Sequence, residues 1–247
     1  MRVSSTLVLS TIALGLLHMA PALAIPAAGS EIKMQSCGST RFEQMTSLSS
    51  TLAIRTCSGG DVYGIGVSPD EAVKNLNGFM AVSEAGIRCT AGASSVTTGS
   101  YGIGAYATFY CNGYPTTAIG STPTIAANRV LEIATERAAS GSYCSASLQG
   151  SYYPELHGFR FSYQCRNAAG AAWNINGLGS DIDQANNAAM KVMRLTATLT
   201  TNCSFSPAIL NGVIFTTNLQ CKGSYFRGYG SSVTSATEDA LTQAGAN

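Results

Sequence analysis

Charged residues are scarce in this sequence: they make up 11% of its 247 residues, less than half of the roughly 25% usual in soluble proteins. Fourteen Lys and Arg stand against thirteen Asp and Glu, so the formal net charge is +1. Nucleic-acid binding by phosphate neutralisation needs a clearly basic surface. Acidic disordered tails and polybasic membrane-surface segments need an excess of one sign. The composition excludes these classes and predicts no nucleic-acid partner.

Long apolar runs and histidine are scarce as well. The apolar run Leu7–Leu17 follows Arg2 and precedes Ala22-Leu23-Ala24, which is the pattern of a cleaved secretory signal. We expect a signal peptide over residues 1–24 and a protein that is secreted, or periplasmic if the source is bacterial. We expect no membrane span, because no later run approaches 18 uncharged apolar residues. Cleavage would leave His157 as the one histidine.

Cysteine, by contrast, is abundant, and all eight cysteines follow the predicted cleavage site. An even number in an exported chain predicts disulfides. A zinc site needs clustered Cys or His ligands, and the wide spacing and single histidine predict no metal. Pairing in sequence order gives four bridges, each closing about 20 residues: Cys37–Cys57, Cys89–Cys111, Cys144–Cys165 and Cys203–Cys221. The rival pattern joins each second cysteine to the next first one, as in Cys57–Cys89, and closes Cys37 to Cys221.

A second landmark recurs after each cysteine pair. It consists of a glycine, any residue, a helix-capping residue, three more residues and an alanine, and another small residue stands two positions before the glycine. The glycines are Gly66, Gly120, Gly179 and Gly230. Agreement at these offsets predicts four tandem repeats of about 55 residues, with a five-residue insertion in the third. We number them segment 1 (25–86), segment 2 (87–141), segment 3 (142–199) and segment 4 (200–247).

Each repeat is predicted to hold three antiparallel strands and one helix, a disulfide-stabilised α+β fold. Alternation of Phe159, Phe161, Tyr163 and Cys165 with polar residues indicates a strand with one buried face, although Leu52 and Ile54 have the opposite parity to Cys57. The predicted helix N-caps are Ser68, Thr122, Asp181 and Ser232. Pro69 and Pro123 suit the first helical position, while Glu71 and Gln184 at the third predict capping boxes. Apolar spacing such as Ala72, Leu76, Phe79 and Met80 continues the helices.

Residues suited to catalysis are few. A serine or cysteine nucleophile needs a neighbouring base, and His157 lies in a predicted hairpin tip, with every cysteine expected to be oxidised. Most acidic residues stand at helix starts, where the helix dipole favours negative charge. The Gly-x-Gly pairs lack the third glycine and the parallel strand context of a dinucleotide site. We therefore predict no cofactor and consider an enzyme the less favoured interpretation.

Segment 3 differs most from the others, since it carries the insertion and the sole tryptophan. Trp and Tyr are favoured at binding sites, so the candidate binding residues are Trp173, Tyr152, Tyr153 and His157; core packing of Trp173 is the alternative. We expect a secreted, non-enzymatic binding protein, such as an effector, whose partner is an extracellular protein or a glycan. One alternative is a secreted hydrolase whose carboxylates meet in three dimensions. Another is a protease inhibitor that presents the hairpin around Glu155–His157.

Overall fold

Short antiparallel strands alternate with single helices along the chain, and the predicted α+β class is confirmed. The computed structural model describes residues 36–45, 49–99, 102–147, 151–153, 158–167, 169–197 and 201–246. The elements are β1 Cys37–Met45, β2 Ser50–Cys57, β3 Gly60–Gly66, α1 Pro69–Glu84, β4 Cys89–Gly99, β5 Gly102–Cys111, β6 Tyr114–Gly120, α2 Pro123–Ser140, β7 Ser142–Ala146, β8 Ser151–Tyr153, β9 Gly158–Asn167, β10 Ala172–Gly179, α3 Ile182–Thr196, β11 Cys203–Phe205, β12 Ile209–Asn211, β13 Ile214–Cys221, β14 Ser224–Gly230 and α4 Val233–Gln243.

The strands of each segment form an antiparallel meander. In segments 1 and 2 the central strands β2 and β5 pair with the strand before and the strand after them. In segments 3 and 4 the first strand is split in two, so β7 and β8 both pair with β9, and β11 and β12 both pair with β13. A parallel pairing of Ile175 with Cys203 joins segments 3 and 4 into one eight-stranded sheet.

The four disulfides lie within the segments, in the pairing that follows sequence order. They are Cys37–Cys57, Cys89–Cys111, Cys144–Cys165 and Cys203–Cys221. In each bridge the two cysteines are direct cross-strand partners, with Cα atoms 3.9–4.4 Å apart. The bridges therefore fix the register of the first two strands of every segment, and the predicted pairing is confirmed.

The helices begin where the sequence predicts, after Ser68, Thr122, Asp181 and Ser232. Each of these side chains accepts a hydrogen bond from the backbone N–H three residues later. The two predicted capping boxes are wrong. Glu71 accepts from the Val67 N–H and from Thr124 Oγ1, and Gln184 contacts Thr234, because the next helix start lies within reach. A capping box is present instead in α4, between Ser232 and Ser235.

Each sheet has an inner face that packs on the helix of its own segment and an outer face turned away from that helix. The inner face carries the cysteines, and the buried core is continuous through all four segments. Leu52 and Ile54 have the opposite parity to Cys57 because both faces of β2 are buried. Ala53 lies on the inner face and Leu52 and Ile54 lie on the outer face, and all three are buried. No helix in the described ranges has the length and apolarity needed to cross a membrane. The predicted signal peptide lies outside the described residues.

Candidate functional site on the outer face of the eight-stranded sheet

Trp173, the first candidate binding residue, lies in the core. It stands on β10 opposite Cys165, and only 2% of the residue is exposed. Its indole Nε1–H donates a hydrogen bond of 3.2 Å to Thr196 Oγ1 at the end of α3, which satisfies the one polar atom of the ring. An indole in this position has no surface left for a partner, so the structure assigns Trp173 to core packing, the alternative that its sequence context left open.

Of the other three candidates, the structure describes the backbones of two. Tyr152 and Tyr153 lie on β8, paired through their backbones with Phe159 and Gly158. His157 and the hairpin tip around Glu155 lie outside the described residues. The roles of these residues in binding, and the inhibitor alternative that depends on the tip, stay predictions.

Three acidic residues, two of them at helix starts and one within α4, accept hydrogen bonds from backbone N–H groups. Glu71 accepts from Val67 N–H at 3.1 Å, Asp181 from Gln184 N–H at 2.8 Å and Asp239 from Tyr229 N–H at 2.9 Å. Burial alone would raise the pKa of Asp183, but hydrogen bonds from Ser121 and Arg129 outweigh burial and lower it. A general acid near neutral pH needs a raised pKa, so this environment suits a structural carboxylate.

Segment 1 carries a charged cluster on its outer face. Arg41 donates to Thr56 Oγ1 and to Asp61 Oδ2, both at 3.0 Å, and the Tyr63 hydroxyl lies 3.5 Å from the same carboxylate oxygen. Hydrogen bonds from Thr56 and Arg41 lower the pKa of Asp61, so Asp61 stays ionised at neutral pH. A second carboxylate, Glu43, belongs to the cluster, with its Oε1 3.7 Å from Arg41 Nε. Both acids pair with one guanidinium on the exposed face of the sheet.

A pocket between β3 and β4, lined by Asp61, Ser83, Arg88 and Thr90 among others, has a volume of about 100 Å³, whereas ligand pockets usually have roughly 300–1,000 Å³. The Arg88 guanidinium donates to the Gly59 carbonyl across it. In the described part of the chain no three His, Cys, Asp or Glu side chains group as metal ligands would.

A row of uncharged polar side chains crosses the outer face of the eight-stranded sheet. Ser145 on β7, Gln164 on β9 and Asn174 on β10 are cross-strand partners. The row continues past the parallel pairing to Ser204 on β11, Gln220 on β13 and Tyr225 on β14, which are also partners. Asn202 connects the halves, because its Oδ1 accepts a hydrogen bond of 2.7 Å from the Asn174 N–H. We call these seven residues the amide row.

The amide row is held on a rigid support. Each of four cysteines is the sequence neighbour of a row residue: Ser145 follows Cys144, Gln164 precedes Cys165, Ser204 follows Cys203 and Gln220 precedes Cys221. Two disulfides on the inner face thus lie directly beneath the row. With strands about 4.8 Å apart, a row over six strands extends about 24 Å. A preorganised surface loses little conformational entropy on binding.

The exposed groups of the row are hydrogen-bonding amides and hydroxyls with an aromatic ring at one end. Gln164, Asn174, Asn202, Ser204 and Gln220 are exposed, and Tyr225 is 68% exposed. Primary amides and hydroxyls both donate and accept hydrogen bonds, and a tyrosine ring adds a flat apolar surface. Arg227 flanks the row, with its Nε bonded to Asn218 Oδ1 at 3.0 Å. The chemistry fits an extended, uncharged, hydroxyl-rich ligand.

The sequence pattern does not predict the amide row. The available signal was strand parity, since five of the seven row residues stand next to a cysteine in the sequence and therefore face away from the core. That signal predicts exposure, but it does not show that residues of β7, β10 and β14 belong to one surface. The parallel pairing of β10 with β11 decides that, and it joins two segments.

The sequence matches no protein-family model and no curated protein.

Proposed function

We propose that this protein is a secreted, non-enzymatic binding protein built from four copies of one βββα unit, and that it binds a neutral extracellular glycan. The amide row is the observation that carries the proposal. It combines an extended length of about 24 Å with exposed amides and hydroxyls, no charged member and a terminal tyrosine. A role as an effector is one form of such binding.

The chemistry of a glycan suits this surface better than that of a charged ligand. Sugar hydroxyls are donors and acceptors, and the side-chain amides of Gln164, Asn174 and Gln220 can pair with both. Tyr225 at the end of the row offers a ring face for the apolar face of a sugar ring. The near-neutral net charge of the chain removes the long-range attraction on which binding of a charged polymer depends.

Support for a non-enzymatic role comes from the state of the titratable groups. The carboxylates of Glu71, Asp181 and Asp239 accept backbone hydrogen bonds. The pKa values of Asp61 and Asp183 are lowered. Hydrogen bonds of this kind suit the carboxylates to stabilising the fold, and a lowered pKa does not suit Asp61 or Asp183 to acting as a general acid at neutral pH.

Affinity electrophoresis tests the proposal. The oxidised chain from residue 25 is run in native gels that contain a neutral polysaccharide, with β-glucan, mannan and galactomannan as separate probes. We expect retardation by at least one of them and no release of reducing ends. Tyr225→Ala and Asn174→Ala should each weaken the binding about tenfold, the typical effect of removing an aromatic or central contact.

The matched control is Tyr110→Ala, which removes an exposed outer-face tyrosine from the separate sheet of segment 2. It should bind as the unaltered protein does. Equal loss in the Tyr110 and Tyr225 variants would show that the amide row is not the site. Absence of binding to all three probes would contradict the glycan assignment, and release of reducing ends would contradict the non-enzymatic role.

A further inference from the structure

Consecutive segments meet at their helix starts through the same hydrogen bond. The donor is the backbone N–H of the residue directly after each Gly-x-Gly or Ala-x-Gly sequence. The acceptor is the side chain of the second residue of the next helix. Val67 N–H donates to Thr124 Oγ1 at 2.9 Å, Ser121 N–H to Asp183 Oδ1 at 3.1 Å and Ser180 N–H to Thr234 Oγ1 at 3.0 Å. Three junctions built alike define a repeating interface.

The corresponding groups at the two ends of the array are exposed. Ser231 follows the second glycine in segment 4, and Asp70 is the second residue of α1. Among the described residues, neither the Ser231 N–H nor the Asp70 carboxylate has a hydrogen-bond partner. One end thus presents the donor of the junction and the other end presents an acceptor.

Each junction also has a second polar contact, between two neighbouring helices. The two ends of the array carry complementary residues at the corresponding positions. The seventh residue of one helix contacts the sixth of the next: Asn75 Nδ2 donates to Asn128 Oδ1 and Arg129 Nη2 to Asn187 Oδ1, both at 3.0 Å. At the third junction Lys191, less than one turn further along α3, pairs with Glu238. The seventh residue of α4 is Asp239, and the sixth residue of α1 is the exposed Lys74. These two positions carry opposite charges.

The apolar parts of the junctions are exposed at the ends too. One apolar residue stands between the two small residues of each Gly-x-Gly or Ala-x-Gly sequence. In the first three segments this residue is at most 3% exposed: Ile65, Ile119 and Leu178. In segment 4 it is Tyr229, which is 53% exposed. A second set of equivalent positions lies seven residues before the second cysteine of each segment. In the first three segments these residues are buried: Ser50, Gly104 and Gly158. In segment 4 the residue is Ile214, which is 47% exposed.

At a junction, the start of the next helix packs over these buried positions. Ile182, the first residue of α3, lies against Gly104 and close to Ile119. Ile182 is half-buried, and the first residues of α2 and α4, Pro123 and Val233, are buried. The first residue of α1, Pro69, is exposed. Tyr229 and Ile214 on one end and Pro69 on the other therefore resemble the two halves of a buried contact.

We propose that the end of segment 4 binds the α1 side of segment 1 of a second copy, so that chains associate head to tail. Ser231 N–H would donate to Asp70, Lys74 would lie opposite Asp239, and Pro69 would cover Ile214 and Tyr229. The contact is heterologous, because different surfaces meet, so it builds linear oligomers or a closed ring. This inference goes beyond the proposed glycan binding, since Tyr225 and Asn174 take no part in it.

Sedimentation equilibrium of the oxidised chain from residue 25 tests the proposal without any added ligand. We expect the average mass to rise with concentration in multiples of one chain, and the association to weaken as salt screens Lys74 and Asp239. Lys74→Glu should raise the dissociation constant at least about tenfold, because like charges then meet. Combining Lys74→Glu with Asp239→Lys should restore most of the affinity.

Lys222→Glu is the control, because it makes the same charge change in the exposed turn between β13 and β14. It should associate as the unaltered protein does, and so should Tyr225→Ala. Tyr229→Ser removes the apolar contact and should weaken association while the far-UV spectrum stays unchanged. A protein that is monomeric at every concentration would overturn the proposal, and so would a charge-swapped double variant no stronger than Lys74→Glu alone.

Discussion

Arg129 shows how a single residue can join two segments. Arg129 is 5% exposed. Its guanidinium donates to the Ile119 carbonyl, to Asp183 Oδ1, to the Asp183 backbone carbonyl and to Asn187 Oδ1, at 2.8–3.0 Å. A buried guanidinium needs such a full set of acceptors, because an unpaired buried charge is strongly destabilising. Arg129 therefore connects β6, α2 and α3, and its partner Asp183 stands at the junction of segments 2 and 3.

Asp183→Asn should lower the free energy of unfolding by about 2–3 kcal/mol, since it leaves the Arg129 charge without its carboxylate. The pKa of Asp183 is lowered in the folded protein, so its contribution is present above the ordinary pKa of 3.8 and is lost as the pH falls through the lowered value. Urea unfolding at several pH values measures both effects. An unchanged acid dependence in the Asn variant would contradict this assignment.

At the scale of elements, the third strand and the helix of a segment touch through backbone atoms. A Cβ on Gly177 would lie 2.1 Å from the Ala185 carbonyl oxygen and 2.3 Å from the Ala189 nitrogen, and Gly64 and Gly228 meet α1 and α4 in the same way. These glycines are needed for close approach. Segment 2 has Ala118 at this position, fully buried, so β6 must lie further from α2 there than β10 lies from α3.

Gly177→Ala should lower the free energy of unfolding by about 2–3 kcal/mol, because strand and helix must separate to admit the methyl group. Ala118→Gly is the matched control, and it should cost only about 1 kcal/mol from lost packing and added chain entropy. Thermal melting followed by circular dichroism distinguishes them. Equal effects of the two substitutions would mean that close approach does not set the spacing.

The molecule as a whole is held by one core and four covalent staples. The apolar core runs through all four segments, while each disulfide closes a loop of 18–22 residues. A thin sheet with one helix buries little apolar surface by itself, so small units of this kind depend on bridges and on their neighbours. We therefore expect the disulfides to contribute mainly to the free energy of unfolding. We expect the shared core to make the segments unfold together.

Replacing Cys144 and Cys165 by serine should lower the free energy of unfolding by about 2–5 kcal/mol, yet the protein should still unfold in one transition. Trp173 fluorescence reports on segment 3, and far-UV circular dichroism reports on all segments. Coincident midpoints are expected because neighbouring segments share buried residues. A separate early transition seen by Trp173 alone would show that segment 3 unfolds independently.

Local sequence patterns determined the disulfide pairing, the helix starts and the strands that carry the cysteines. These features depend on residues close together in the chain, such as a cap and an amide three residues later, or two cysteines on neighbouring strands of one hairpin. Physical interactions over such short separations leave a readable spacing. The predicted α+β class follows from the same patterns.

Only the tertiary structure decided which surfaces are buried and which polar groups meet. Glu71 and Gln184 contact the next helix start, Trp173 is covered by α3, and Asn174 joins the outer face of segment 4. Such contacts join residues separated by about 20 to 60 positions, and the three backbone hydrogen bonds of the junctions link residues 54–62 apart. Burial and partner choice depend on how segments pack, and packing is set by the summed fit of many distant side chains, which no local spacing records.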